Sequence, residues 1–143
     1  NQETASLLQK QFSERKAKKS YTAIVVGTPE PPKAKLELPI ERNLRHPSQF
    51  RVGTNGKSAT TVYEVLKSNK KLSLLQLTPE TGRTHQLRVH MDYIKHPIVG
   101  DIVYGKADDR MYLHASSLEI TIPDGQRKVF TAPLPPEFEA KMA

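Results

Sequence analysis

Apolar positions alternate along this chain in short runs, broken by glycine, proline and clustered charge. This pattern predicts short strands joined by turns, with few helices. Residues 21–26 (Tyr-Thr-Ala-Ile-Val-Val) are β-branched and apolar and predict a buried strand that Gly27 ends. Residues 59–67 and 71–78 predict a hairpin turning at 68–70. Residues 118–122 and 128–131 predict a second hairpin around Pro123-Asp124-Gly125. Shorter strands are expected at 36–40 and 50–52, with a turn at Thr54-Asn55-Gly56-Lys57. The proline-bearing residues 28–35 and the basic residues 42–48 read as loops, and residues 100–105 as a glycine-bracketed one.

Helical spacing occurs in three places. Over residues 3–16, Leu7, Leu8 and Phe12 recur among polar residues. Over 83–94, Leu87, Met91 and Ile94 share one face at offsets of four and three, and Pro97 stops the run. A proline-rich approach at 132–138 leads to a short terminal helix. Together these elements predict an α+β fold with a mixed, mainly antiparallel sheet flanked by helices.

The chain has 143 residues, enough for one domain with a core. It has no cysteine, which excludes disulfides and thiolate metal sites and suits a reducing compartment such as the cytoplasm. No apolar run approaches the roughly 20 residues needed to cross a bilayer, so no membrane partner is expected. The net charge is +7, from 22 Lys and Arg against 15 Asp and Glu, a balance that favours polyanionic partners without identifying one. The cluster Arg15, Lys16, Lys18, Lys19 reads either as a solvated helix end or as a phosphate-contacting patch.

Residues 72–90 concentrate the candidate chemistry. An apolar strand passes through Thr78, Pro79 and Gly82 into Arg83, His85, Arg88 and His90. His85 and His90 lie roughly 140° apart on a helix, share no face, and lack further ligands, so a metal site is not expected. Neither a nucleophile elbow nor a phosphate-binding glycine loop is present. Arg88 sits beside the apolar face. It reads either as a bidentate holder of a carboxylate or as a surface partner of Asp92 four residues on. Tyr21, at a strand start, reads as half-buried packing.

Several segments together resemble one family. They are Lys19-Ser20-Tyr21-Thr22-Ala23, the run Thr81-Gly82-Arg83-Thr84-His85-Gln86-Leu87-Arg88-Val89-His90, residues 96–105 (His-Pro-Ile-Val-Gly-Asp-Ile-Val-Tyr-Gly), Leu113-His114-Ala115, and Phe130-Thr131-Ala132-Pro133-Leu134-Pro135. Their order and spacing are similar to those of the RluA-type RNA pseudouridine synthases over nearly the whole chain. The resemblance implies isomerisation of uridine to pseudouridine in ribosomal or transfer RNA, with neither metal nor organic cofactor, by a monomer. By motif match it makes Tyr21 the active-site tyrosine that packs on the target base and Arg88 the partner of the catalytic aspartate. Lys19, Arg83, Thr84, His85, Gln86 and Leu87 become substrate-binding residues. The chemistry fits these types, because an arginine keeps a carboxylate ionised in a water-poor pocket and an aromatic face stacks on an extruded base.

One element of the family pattern is missing. The His-Arg-Leu-Asp segment that carries the catalytic aspartate does not occur in these residues, and neither Asp92 nor Asp101 matches it. The resemblance therefore implies that residues 1–143 are the C-terminal portion of a single catalytic domain. By themselves they are expected to make no pseudouridine and to expose a sheet edge or apolar patch. The competing expectations are a non-catalytic RNA-binding module of the same fold and a basic structural domain with no RNA role. Salt-dependent affinity for RNA separates the last from the other two.

Overall fold

In the computed structural model, which describes residues 5–7 and 17–143, the chain folds around β1 (Lys18–Val26). This strand lies within a six-stranded sheet. Its order is β2 (Lys33–Glu37), β5 (Thr60–Ser68), β6 (Leu72–Pro79), β1, β7 (Leu113–Thr121) and β8 (Arg127–Thr131). A separate ribbon pairs β3 (Ile40–Arg42) with β4 (Phe50–Val52). Every strand pair among the described residues is antiparallel, the main component of the sheet expected.

The strand pattern follows from side chains alternating between faces. In β1, Ala23 and Val25 point to one face and Ile24 to the other, and all three are fully buried. In β6, Leu75 and Leu77 join the first face, while Leu72 and Leu74 pack on the second. Helix α1 (Gln86–Tyr93) covers the first face through Leu87 and Met91, with Ile94 packed just beyond its end. Helix α2 (Pro136–Met142) covers the second through Phe138 and Met142. Burial on both faces explains why these two central strands read as near-continuous apolar runs. A third cluster, Ile40, Ala59 and Val89, ties the β3–β4 ribbon to the flank of α1. Among the described residues no helix is long and apolar enough to cross a membrane.

Local departures have identifiable causes. The strand expected over 36–40 splits in two: Pro39 has no N–H to donate, so pairing with β5 ends at Glu37 and Ile40 turns to pair with Val52. Strand β2 also begins inside the expected 28–35 loop. Strand β7 starts five residues before the expected 118, because Leu113, His114, Ala115 and Ser117 find partners along β1 that their weak local pattern did not signal. Residues 5–7 are helical; the remainder of the helix expected over 3–16, with Arg15 and Lys16, lies outside the described residues. The outer strand β8 is exposed along its length, and Val129 and Phe130 stand 59% and 54% open. The sheet therefore has an exposed outer strand among the described residues.

Gly100 opens the loop over residues 100–105. Its φ is +83°, and a Cβ there would lie 1.7 Å from the Arg110 carbonyl oxygen, so only glycine fits. The backbone can then turn Asp101 inward under α1, and this places the site.

Candidate active-site cleft

The turn between β6 and α1 is fixed by Gln86. Its side-chain carbonyl accepts hydrogen bonds from the Thr81 hydroxyl (2.6 Å) and the Arg83 N–H (3.0 Å). Its amide nitrogen donates to the Thr60 carbonyl (2.9 Å) and the Thr61 hydroxyl (3.0 Å). All four positions of the amide are thus used inside the protein, each contributing about 1 kcal/mol. Arg83 is held in turn by a bond from Nε to the Ser58 carbonyl, 2.9 Å. Because these bonds lock the turn, α1 begins at Gln86, three residues later than helical spacing alone predicts. His85 before it adopts a left-handed backbone, φ +55°.

Arg88 does not pair with Asp92. Its Nε and Nη2 donate to the two carboxylate oxygens of Asp101, both at 2.9 Å, in the bidentate geometry that makes such pairs strong. The Asp101 side chain is wholly buried and that of Arg88 is 18% exposed. Asp101 Oδ1 also accepts the N–H groups of Val103 (3.0 Å) and Tyr104 (3.1 Å). Burial alone would raise the Asp101 carboxyl, but the bonds from Arg88 and from these N–H groups outweigh it and hold the acid below its usual range. The guanidinium carbon lies 5.3 Å from the centre of the Tyr104 ring. One edge of Arg88 is therefore occupied, and Nη1 makes no hydrogen bond among the described residues.

Tyr104 continues the network. Its hydroxyl accepts the Phe50 N–H at 2.9 Å and lies 2.8 Å from Nδ1 of His85. The His85 ring meets those of Phe50 and Tyr104 edge-on, at 5.8 Å and 5.6 Å between centres. Burial and the nearby Arg88 cation push His85 below its ordinary value, against a weaker opposing pull from Asp101. The loop that carries Asp101 and Tyr104 thereby fixes Arg88, His85 and the β3–β4 ribbon at once.

These residues line a cleft of about 230 Å³, with Lys19, Tyr21, Arg83, His85, Gln86, Leu87 and Arg88 in its walls. The candidates from two distant stretches of sequence, 19–21 and 83–88, thus meet in one place. A β-bulge lies at Tyr21, where the register against β7 shifts between Ser20 and Tyr21 and leaves Ser116 opposite no partner in the pairing. The Ser116 hydroxyl donates to the Ser20 carbonyl at 2.9 Å. Bulges of this kind re-aim a side chain beside a site. Thr84 is not in this cleft; it faces an adjoining one of about 440 Å³ with Arg42, Phe50 and Lys57, and the two share Gly82 and Arg83. The basic loop at 42–48 flanks that second cleft, where the Arg42 guanidinium sits 4.8 Å from the Phe50 ring centre.

His90 faces away from both clefts. It is fully buried, with Nε2–H donating to the Leu38 carbonyl (2.8 Å) and Nδ1 accepting from the Thr61 hydroxyl (2.8 Å). Burial lowers its affinity for a second proton, against the smaller effect of the Leu38 bond. Since the folded value lies below the unfolded one of 6.5, the unfolded chain binds more protons in the interval between them. His90 therefore contributes stability that is complete above 6.5 and is lost as the pH falls below that value. Urea unfolding should show a midpoint that drops from about pH 7 to about pH 5, with a shallower dependence in His90→Gln. An equal slope in the variant would assign the effect to other groups.

A family model described as RNA pseudouridylate synthase matches residues 1–93. An uncharacterized RNA pseudouridine synthase of Zymomonas mobilis is 43% identical over 138 residues, covering 92% of this chain and 63% of that protein. The ribosomal large subunit pseudouridine synthase D of Borreliella burgdorferi is 39% identical over 144 residues, covering 96% of this chain and 44% of that one. The chain spans about half the length of most of the curated relatives it matches. Among solved structures, human RNA pseudouridylate synthase domain containing 1 superposes with a TM-score of 0.84 at 31% identity, covering 93% of this chain and 61% of that one. Human RNA pseudouridylate synthase domain containing 4 gives 0.79 at 26% identity, covering 97% and 66%.

Proposed function

Because this chain belongs to the RNA pseudouridylate synthase family, we propose that its 230 Å³ cleft receives the uridine that a synthase of this kind isomerises. The observation that carries the reading is the meeting of Tyr21 and Arg88 in that cleft, with one edge of Arg88 fixed by Asp101. In the reaction the bond between N1 and C1′ breaks, the base turns, and C5 bonds to C1′ while its proton leaves and N1 gains one. A catalytic carboxylate must stay ionised beside the sugar, and the Nη1 edge of Arg88 suits that task. Asp101 is spent on Arg88 and two backbone N–H groups, and no aspartate among the described residues lines the cleft; this favours a catalytic aspartate supplied by residues other than those described. Residues 1–143 then form the C-terminal portion of the catalytic domain, inactive alone, as a monomer without metal or organic cofactor.

Tyr21 packs against the core cluster on its inner side and lines the cleft on the other, and its hydroxyl makes no hydrogen bond among the described residues. It supplies a stacking face for a base taken out of its helix, and a hydroxyl beside the C5 proton. Ribosomal and transfer RNA both fit the +7 charge, and the exposed basic loop at 42–48 offers backbone contacts to either.

The experiment uses transcripts labelled with tritium at uridine C5, which lose the label when C5 bonds to carbon. Full-length protein should release tritium from ribosomal or transfer RNA, and the 143-residue chain should not. Tyr21→Leu, which keeps the apolar volume and removes the ring, should slow release roughly 10²-fold or more. Full-speed release by the isolated chain would place the nucleophile inside it and overturn the division of the site.

A further inference from the structure

The Tyr104 hydroxyl meets His85 Nδ1 at 2.8 Å. Its oxygen already accepts the Phe50 N–H, which leaves its own hydroxyl proton to serve Nδ1. With Nδ1 as the acceptor, the proton of the neutral ring is carried on Nε2. The ring cannot easily turn to present the other nitrogen, being wedged edge-on between Phe50 and Tyr104. It is carried on a left-handed backbone, φ +55°, a conformation that costs a non-glycine residue energy and marks sites where the surroundings impose it. Nε2 has no hydrogen-bond partner among the described residues, yet no buried polar side-chain atom lacks one, so this nitrogen is open to solvent. His85 lines the same cleft as Tyr21 and Arg88.

We propose that His85 is a specificity-determining donor, locked by Tyr104 as the Nε2–H tautomer so that it offers a hydrogen bond to the 4-oxygen of a uracil ring in the cleft. The inference rests on the reading of this cleft as a uridine pocket. Position 4 is where uracil and cytosine differ: uracil carries a carbonyl acceptor there and cytosine an amino donor. An Nε2–H pairs with the first and opposes the second, and once a seated base shuts the solvent out, a donor left facing another donor is costly. A histidine free to change tautomer would accept from cytosine as readily as it donates to uracil. The Tyr104 hydroxyl removes that freedom, which makes Tyr104 a positioning residue acting through His85.

Two measurements on the full-length protein test this. Nitrogen-15 spectra of labelled histidine report which ring nitrogen of His85 is protonated, independently of RNA. The expected result is a protonated Nε2 and an unprotonated Nδ1 in the wild type, and a mixture of the two forms in Tyr104→Phe. A wild-type ring protonated on Nδ1 overturns the proposal. Affinities for matched single-stranded oligonucleotides differing only in a uridine or a cytidine are then compared at one salt concentration. The wild type should prefer uridine roughly tenfold, and His85→Ala should lose most of that preference while Tyr104→Phe loses part of it. An unchanged preference in His85→Ala, or none in the wild type, overturns the proposal. Failure to bind either oligonucleotide overturns the uridine-pocket reading itself, with the tautomer spectrum left standing as a separate result.

Discussion

Arg88→Ala in the full-length protein is expected to reduce pseudouridine formation by roughly 10²- to 10³-fold in kcat, with a much smaller change in RNA affinity. The split follows from where the charge acts. RNA binding would draw on many basic groups across the surface, so the loss of one largely buried cation changes it little. On the proposed reading the chemical step would depend on a carboxylate kept ionised in a site that excludes water, a task for the Arg88 edge that Asp101 leaves unoccupied. Arg88→Lys preserves the charge but cannot hold Asp101 bidentately while presenting a second edge, so it should recover only part of the rate. Tritium release and filter binding on the same preparations separate the two quantities. Equal losses in both would assign Arg88 to RNA binding.

Asp101→Ala should be the most damaging change to stability near the site, costing about 3 to 5 kcal/mol. The carboxylate is wholly buried and serves the Arg88 fork and two backbone N–H groups. Removing it leaves a largely buried guanidinium without its partner and opens the loop that carries Tyr104. The loss corresponds to a melting temperature lower by roughly 10 °C or more. Its pH dependence has a definite sign. The folded carboxyl is held below its unfolded value of 3.8, so its contribution is complete above that value and fades as the pH falls through the folded one. Wild type and variant should therefore converge in stability at strongly acidic pH. A variant that melts within a degree or two of wild type at neutral pH would show that the pair is not holding the loop.

The elements easiest to read in the sequence were those whose neighbours in space are also neighbours along the chain. The β5–β6 hairpin and the Leu87, Met91, Ile94 face of α1 are set by local periodicity and are found as expected. The run 81–90 was singled out by its clustered arginines and histidines and by the family resemblance, and Arg83, His85, Gln86, Leu87 and Arg88 from it line one cleft. Contacts across the chain were not legible. Asp101 lies 13 residues beyond Arg88, and helix geometry alone suggested the nearer Asp92. Tyr104 reaches Phe50 across 54 positions, and no pattern of apolar residues encodes that bond. A signal did exist in the glycine-bracketed loop, since an aspartate whose N–H partners sit two and three residues on is a common turn device. Gln86 was grouped with substrate-binding residues by its motif, whereas its amide is fully used in holding the turn to β5. Thr84 belongs to the neighbouring cleft because the turn directs it to the opposite side from His85.

The most direct test is a crystal structure of the full-length protein bound to an RNA carrying the uridine it modifies. The target base should lie in the cleft between the Tyr21 ring and Arg88, with the Nη1 edge of Arg88 on an aspartate from elsewhere in the protein and Asp101 still on the opposite edge. A target base seated instead in the adjoining cleft beside Thr84 and Phe50, or a catalytic carboxylate that does not touch Arg88, would contradict the account.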